Sequence, residues 1–205
     1  EKIIVEQMLK YLLTNNLISK QQHGFLSRRS TTTNLIESLN DWTVKMENRQ
    51  GQSVAYIDFA KAFDSVSHPK LLKKLGAYGI GGVLLNWISD FLTDRSHVTR
   101  VGHCLSPIAF ITSGVIQGSC LGPLLFLLYI NDLAEAISAV ATMKLYADDV
   151  KLYSNMSAVP SNANVLQDHL NRLLELSVVW QLPISYMKCC VLNIGKRNLD
   201  CLPLL

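Results

Sequence analysis

The sequence predicts an α+β fold in which helices pack behind a small antiparallel sheet that carries acidic residues at its strand tips. Three observations predict it: apolar residues recur at a spacing of three to four over several stretches, short strand-like runs alternate with them, and no repeat or low-complexity tract interrupts the pattern. Ile4, Met8, Tyr11 and Leu12 give the first helical stripe, ending near Asn15-Asn16. Leu35, Leu39, Trp42 and Met46 give the second, and each stripe is read as the buried face of its helix. Ser53 to Phe59 is a strand by composition. Leu71, Leu72 and Leu75 after Pro69, then Leu84, Ile88, Phe91 and Leu92, mark two more helices, punctuated by Gly76, Gly79, Gly81 and Gly82. An apolar helix is expected from Leu124, with Pro123 in its first turn. Lys144 to Tyr153 reads as two short strands joined at Asp148-Asp149; Leu166, Leu170, Leu173 and Leu174 form a last helical stripe before Trp180, and Val191 to Ile194 a last strand.

The acids carry the chemistry. Asp148 and Asp149 sit at a turn flanked by Leu145, Val150 and Leu152 at strand spacing. Adjacent carboxylates repel and are relieved by water or by a cation, so the pair alone leaves both a solvated turn and a metal-holding hairpin open. Asp58 adds a third carboxylate at the tip of the Ser53–Phe59 strand. Three acids on neighbouring strand ends can hold two Mg²⁺ ions about 4 Å apart, an arrangement that activates an attacking hydroxyl and stabilises a leaving phosphate oxygen. Mg²⁺ suits such sparse oxygen ligation, because it keeps several waters and takes only one or two carboxylates besides substrate phosphates.

Gly114 to Pro123 is a glycine-rich loop leading into the apolar helix, where backbone can approach a ligand closely. It lacks the Gly-Lys-Ser/Thr ending of a P-loop, which excludes that phosphate cradle.

Composition bounds the remaining possibilities. With 205 residues, 49% of them hydrophobic, the chain can bury a core as one domain. The 19 Lys+Arg against 16 Asp+Glu give a net charge of +3, which permits nucleic-acid binding without demanding it. Lys70, Lys73 and Lys74 sit together, as do Arg28 and Arg29, and for the lysines a solvated face is at least as good a reading as a nucleic-acid contact. Five cysteines, including the adjacent Cys189-Cys190, show neither disulfide-framework nor zinc spacing, which points to a reducing compartment. His97, His103 and Cys104 lack a second cysteine pair and read as surface or structural residues. The densest apolar run, Leu124 to Ile130, is far short of the roughly 20 residues a membrane span needs, and no signal peptide is visible. Because the sequence opens on Glu1, it reads as an internal fragment.

Six blocks, in order, carry a resemblance to a known family. They are Gln22-His23-Gly24-Phe25 with Arg29-Ser30, Asp58 to Asp64, Phe91 to Arg95, Gly114 to Asp132, Tyr146 to Tyr153, and Trp180 to Lys188. Together they resemble, nearly end to end, the reverse transcriptase of non-LTR (LINE-type) retrotransposons. The resemblance implies a right-hand polymerase palm with partial fingers, residues 1–50 being fingers-side helices and residues 51–205 palm. The thumb and the first part of the fingers would then belong to the parent polyprotein outside this sequence. It further implies transfer of dNMP from a dNTP to a DNA primer 3′-hydroxyl on an RNA template. Two Mg²⁺ ions, or Mn²⁺ in their place, would be held by Asp58 and Asp148, with Asp149 a less direct third ligand. Phe59, Phe63, Gln117, Gly118 and Arg29 would meet the nucleotide or template, and His23 a phosphate. Phe63, five positions past Asp58, would be the steric gate against a 2′-hydroxyl, and Lys188 would protonate the departing pyrophosphate. The implied location is intracellular, nuclear during target-primed synthesis. Two departures stand out: Ile116 where the family usually has proline, bearing on loop rigidity, and Ser185 where asparagine is frequent. The rival readings are a catalytically silent remnant or nucleic-acid-binding scaffold, and an RNA-templated RNA polymerase.

Overall fold

In the computed structural model, which describes residues 1–135, 141–156 and 163–195, a four-stranded antiparallel sheet lies between one helix on one face and the remaining core on the other. The strands are β1 (Gly51–Ile57), β6 (Ala141–Tyr146), β7 (Asp149–Met156) and β8 (Cys190–Ile194), in the order β6-β7-β1-β8. The helices are α1 (Lys2–Thr14), α2 (Thr31–Glu47), α3 (His68–Ala77), α4 (Gly82–Leu92), α5 (Leu121–Ile130) and α6 (Ala163–Val179). Between α4 and α5 a narrow β-ribbon, which sequence periodicity does not anticipate, is built from β2 (Arg95–His97), β3 (Arg100–Val101), β4 (Cys104–Leu105) and β5 (Ala109–Ile111).

The central strand shows why both faces must be covered. Ala55 and Ile57 of β1 join Leu145, Val150 and Leu152 in the main core with the leucines of α5 and α6, whereas Val54 and Tyr153 face the other way onto Trp42 of α2. A strand buried on both faces loses the simple in-out alternation, and four consecutive residues of β1 are buried. Helix α5 is apolar all round and buried except at the half-buried Pro123, starting at Leu121 and so three residues before the expected Leu124. Among the described residues no helix is long and apolar enough to cross a membrane.

Two expectations about burial are corrected. On α2 the inward face is Asn34, Ser38 and Trp42, while Leu35, Leu39 and Met46 are about half exposed. The face is offset because α2 meets the sheet with polar contacts: Asn34 Nδ2 donates to Leu145 O at 3.1 Å and Lys151 Nζ to Ser38 Oγ at 3.1 Å. Its start is fixed by a reciprocal cap, with Ser30 Oγ accepting from Thr33 N and Thr33 Oγ1 from Ser30 N. Lys74, expected on a solvated face, is buried. Its ammonium donates to Tyr129 O and to Asp132 Oδ1 at 2.6 Å, and lies 3.6 Å from the Trp180 ring centroid. Burial lowers its pKa and Asp132 opposes the shift.

The β6–β7 turn is held from outside its own hairpin. Tyr146 pairs with Asp149, so Ala147 and Asp148 form a two-residue loop, and Ala147 adopts φ +53°, a left-handed conformation that costs a non-glycine residue of order 1 kcal/mol. The residues that stabilise it lie about 120 positions earlier in the chain. Gln22, itself 2% exposed, accepts through Oε1 from Ala147 N at 3.0 Å and from Gly24 N at 2.7 Å. Backbone bonds from His23 N to Leu145 O (2.8 Å) and from Leu145 N to Gln21 O (2.9 Å) fasten the same segment to β6. At Gly24 the two backbones are so close that a Cβ would stand 2.4 Å from Ala147 N. Neither neighbour is a flexible side-chain end, so Gly24→Ala must push the turn or the segment aside. The expected cost is about 1–3 kcal/mol of unfolding free energy, read as a lowered urea midpoint at unchanged slope.

Candidate active site

Register brings the acids together. Ile57 pairs with Val150, so the next step along β1 sets Asp58 level with Asp149, and the β6–β7 turn places Asp148 alongside. Asp58 is fixed by its main chain: Ser185 N donates to Asp58 O at 2.8 Å, Ala60 N to Pro183 O at 2.7 Å, and Phe59 bridges Ile184. The 3₁₀ turn Tyr186–Lys188 then carries Lys188 Nζ to 3.2 Å from Asp58 Oδ2, with the lysine side chain 70% exposed. A cavity of about 490 Å³ opens beside this cluster, lined among others by Tyr56, Asp58, Asp149, Lys151 and Lys188.

The electrostatics mark Asp148 as the strained member. Burial pushes its carboxyl above the ordinary range, and repulsion from Asp149 and Asp58 adds to the rise while Lys188 opposes it. Asp58 Oδ2 is buried and accepts no hydrogen bond, leaving the Lys188 ammonium as its named partner. Asp149 is exposed on the cavity side. Among the described residues no group of three or more His, Cys, Asp or Glu side chains closes into a ready cage. Hard carboxylate oxygens at a site with room for water nonetheless fit a Mg²⁺ or Mn²⁺ ion that takes few protein ligands.

The glycine-rich loop is stitched to the segment after Asp58. Gly114 N donates to Val66 O, Val115 N to Phe63 O and Ser113 Oγ to Asp64 O, all within 2.9 Å. Gly114 has φ +92°, and a Cβ there would lie 2.9 Å from Asp64 Cα, so this close approach requires glycine. Gln117 Nε2 donates to Asp64 Oδ1 at 2.9 Å, and Gly118 has φ +83°. Ile116 does not leave the loop loose: Ser119 Oγ donates to Ile116 O at 2.7 Å and accepts from Gly122 N at 2.9 Å.

The aromatic and basic candidates divide. Phe63 is half-buried, stacked on Phe126 at 4.1 Å between centroids and edge-on to Phe25 at 6.1 Å, a rigid mounting for its remaining exposed surface. Phe59 is 2% exposed within the main core, so its side chain does not face the cavity and only its backbone remains for substrate contact. Arg29 commits Nη1 to Lys20 O and Gln22 O, bracing the segment that clamps the turn. His23 is buried, 3.1 Å from Thr33 Oγ1 and 3.4 Å from Glu37, and burial lowers its pKa; it braces α2 and does not reach out to a phosphate.

Four contributors are not singled out by the sequence. Gln22 and Gly24 enter there only within a family-like block, and no local pattern in the sequence marks their contact with Ala147. Tyr56 and Lys151, paired across β1 and β7, form the cavity wall, and strand alternation from Asp58 could have found Tyr56.

A family model described as "Reverse transcriptase (RNA-dependent DNA polymerase)" matches residues 1–202. The chain is 29% identical over 210 residues to the RNA-directed DNA polymerase from mobile element jockey of Drosophila funebris, covering 98% of this chain and 22% of that protein. It is 27% identical over 197 residues to the probable RNA-directed DNA polymerase from transposon BS of Drosophila melanogaster, covering 92% and 21%. The chain thus spans about a fifth of the length of these curated relatives. Its fold is similar to apo telomerase from Candida tropicalis, with a TM-score of 0.68 at 10% identity over 94% of this chain and 36% of that one. Telomerase from Candida albicans, in complex with a fragment of telomeric RNA, matches with a TM-score of 0.61 at 13% identity over 82% and 31%. With the family match running over residues 1–202, the chain belongs to the reverse transcriptase (RNA-dependent DNA polymerase) family.

Proposed function

We propose that this chain is the nucleotidyl-transfer core of a non-LTR retrotransposon reverse transcriptase, a palm with part of the fingers, which adds dNMP from dNTPs to a DNA primer on an RNA template. The observation that carries the reading is the convergence of Asp58, Asp148 and Asp149 with Lys188 at one end of the sheet, beside an open cavity. Asp58 and Asp148 would hold the divalent ions, with Asp149 on the solvent side. Bound there, such ions supply charge neutralisation at the phosphates and a lowered pKa for the primer hydroxyl.

The chain's own groups do the rest. The sheet and the Gln22 clamp orient the carboxylates before substrate arrives, the electrostatic preorganisation that phosphoryl transfer depends on. Lys188, largely exposed and paired with Asp58, would give a proton to the leaving pyrophosphate oxygen. Phe63, stacked on Phe126, would act as the gate against a 2′-hydroxyl, and Gln117 with Gly118 would meet the nucleotide or template. Sequence selectivity is not built into such a site, since template pairing supplies it and the protein reads backbone and shape.

The test is Mg²⁺-dependent dNTP incorporation on an RNA template with a DNA primer. Asp148→Asn is expected to lower the rate by roughly a hundredfold or more, several kcal/mol of lost charge stabilisation. A variant as active as the parent chain overturns the assignment. In the same assay Phe63→Val is expected to narrow the preference for dNTP over NTP by about tenfold or more. That ratio is read within one preparation, so partial loss of folded protein from the cavity left at Phe126 does not affect it. Unchanged sugar selectivity would remove Phe63 from the gate.

A further inference from the structure

The β-ribbon between α4 and α5 has no part in the chemistry described above, yet it borders it. The ribbon and the Thr112–Gln117 loop enclose a groove of about 590 Å³, with Arg95 and His97 at one side, Thr112 and Ser113 along it, and Asp64 and Gln117 at the end nearest the candidate active site. The Asp64 carboxylate accepts from Gln117. Arg95 and His97 are exposed and, two residues apart on β2, share one face of the ribbon; Arg100 and His103, also exposed, continue the basic character toward the tip. From residue 95 to residue 131 the chain contains no Asp or Glu. The Arg95 guanidinium stands 5.9 Å from the Phe91 ring, which stacks on Trp87 at 5.6 Å, so an aromatic pair adjoins the basic face.

We propose that this groove carries the backbone of the RNA strand leading to Gln117, with Arg95 as its principal phosphate contact and Arg100 as an outer one. The inference rests on the polymerase reading for the identity of the strand. Its physical basis is independent: an exposed basic ribbon free of acids, beside hydroxyl donors and stacked rings, is the combination that holds a single-stranded polyanion without reading its bases. Pairing of this ribbon with that of a second copy, through its exposed Val101, Leu105 and Phe110, is the competing occupant, and it would bring Arg95 and Arg100 against their own copies.

The experiment is a fluorescence-anisotropy titration of the 205-residue chain against a labelled single-stranded RNA oligonucleotide over a range of salt concentrations, without metal or dNTP. Arg95→Glu is compared with Arg49→Glu, an equal charge change at an exposed residue before Gly51, at the opposite end of β1 from Asp58. Arg95→Glu is expected to weaken binding about tenfold or more and to flatten the slope of log K against log salt by about 0.7 for each phosphate no longer neutralised. Arg100→Glu should give a smaller reduction, and Arg49→Glu close to none. Equal affinities for the Arg95 and Arg49 variants overturn the proposal, as does a concentration-dependent dimer abolished by Arg95→Glu with RNA affinity unchanged. Because no catalysis is involved, a chain that binds RNA through Arg95 but incorporates no dNTP contradicts the polymerase reading alone. Incorporation with equal variant affinities contradicts the groove alone.

Discussion

The hydrogen bond from the Ala147 amide to the side chain of Gln22 is the contact on which the rest of the site depends. A two-residue turn carrying adjacent acids is electrostatically and conformationally unfavourable: Asp148 is repelled by Asp149 and Asp58, and Ala147 is held left-handed. Such a turn persists only where its surroundings over-determine it. Here a buried glutamine, a glycine pressed against the turn and two backbone bonds to β6 do so. Each prop of that clamp is itself braced, Gln22 O by Arg29, and His23 by Thr33 and Glu37 of α2. Helix α2 and the segment before it therefore act on the site through the turn's geometry.

A second set of constraints joins Asp58 to the Gly114 loop. The strand end is gripped by the main chain of residues 183–185, and the following segment is sewn to the Gly114 loop by bonds that tolerate only glycine at their closest point. Phe63 and Gln117 are thus tied to the segment after Asp58, Phe63 through its backbone and Gln117 through its side chain, and Ser119 bonds the loop across Ile116.

Much of this is legible from the sequence where one physical cause acts alone. Strand composition and the adjacent acids place Asp58, Asp148 and Asp149, and the periodicity of α1, α4 and α6 gives their buried residues Met8, Leu12, Ile88, Leu92, Leu166 and Leu170. Legibility fails where two causes compete. On α2 hydrophobicity favours Leu35 and Leu39, but the sheet edge offers a carbonyl and a lysine ammonium to bond, so Asn34 and Ser38 turn inward. Lys74 looks solvated because composition cannot reveal the pocket of Tyr129, Trp180 and Asp132 that receives its ammonium. Phe59 and Phe63 are indistinguishable by type, and only their tertiary surroundings separate the fully buried residue from the half-buried one stacked on Phe126. The ribbon of residues 95–111 has strands of two or three residues, too short for periodicity to register.

Native-state hydrogen exchange of the Ala147 amide, resolved by NMR, tests the clamp itself. An amide in a two-residue surface turn ordinarily exchanges through local fluctuation, whereas one donated to a buried side chain waits for a larger opening. A clamped turn requires protection at Ala147 comparable to that of the ladder amides of β6 and β7. Exchange at the rate of an open loop would show that the turn is not clamped, and that the carboxylates are not held in advance of substrate.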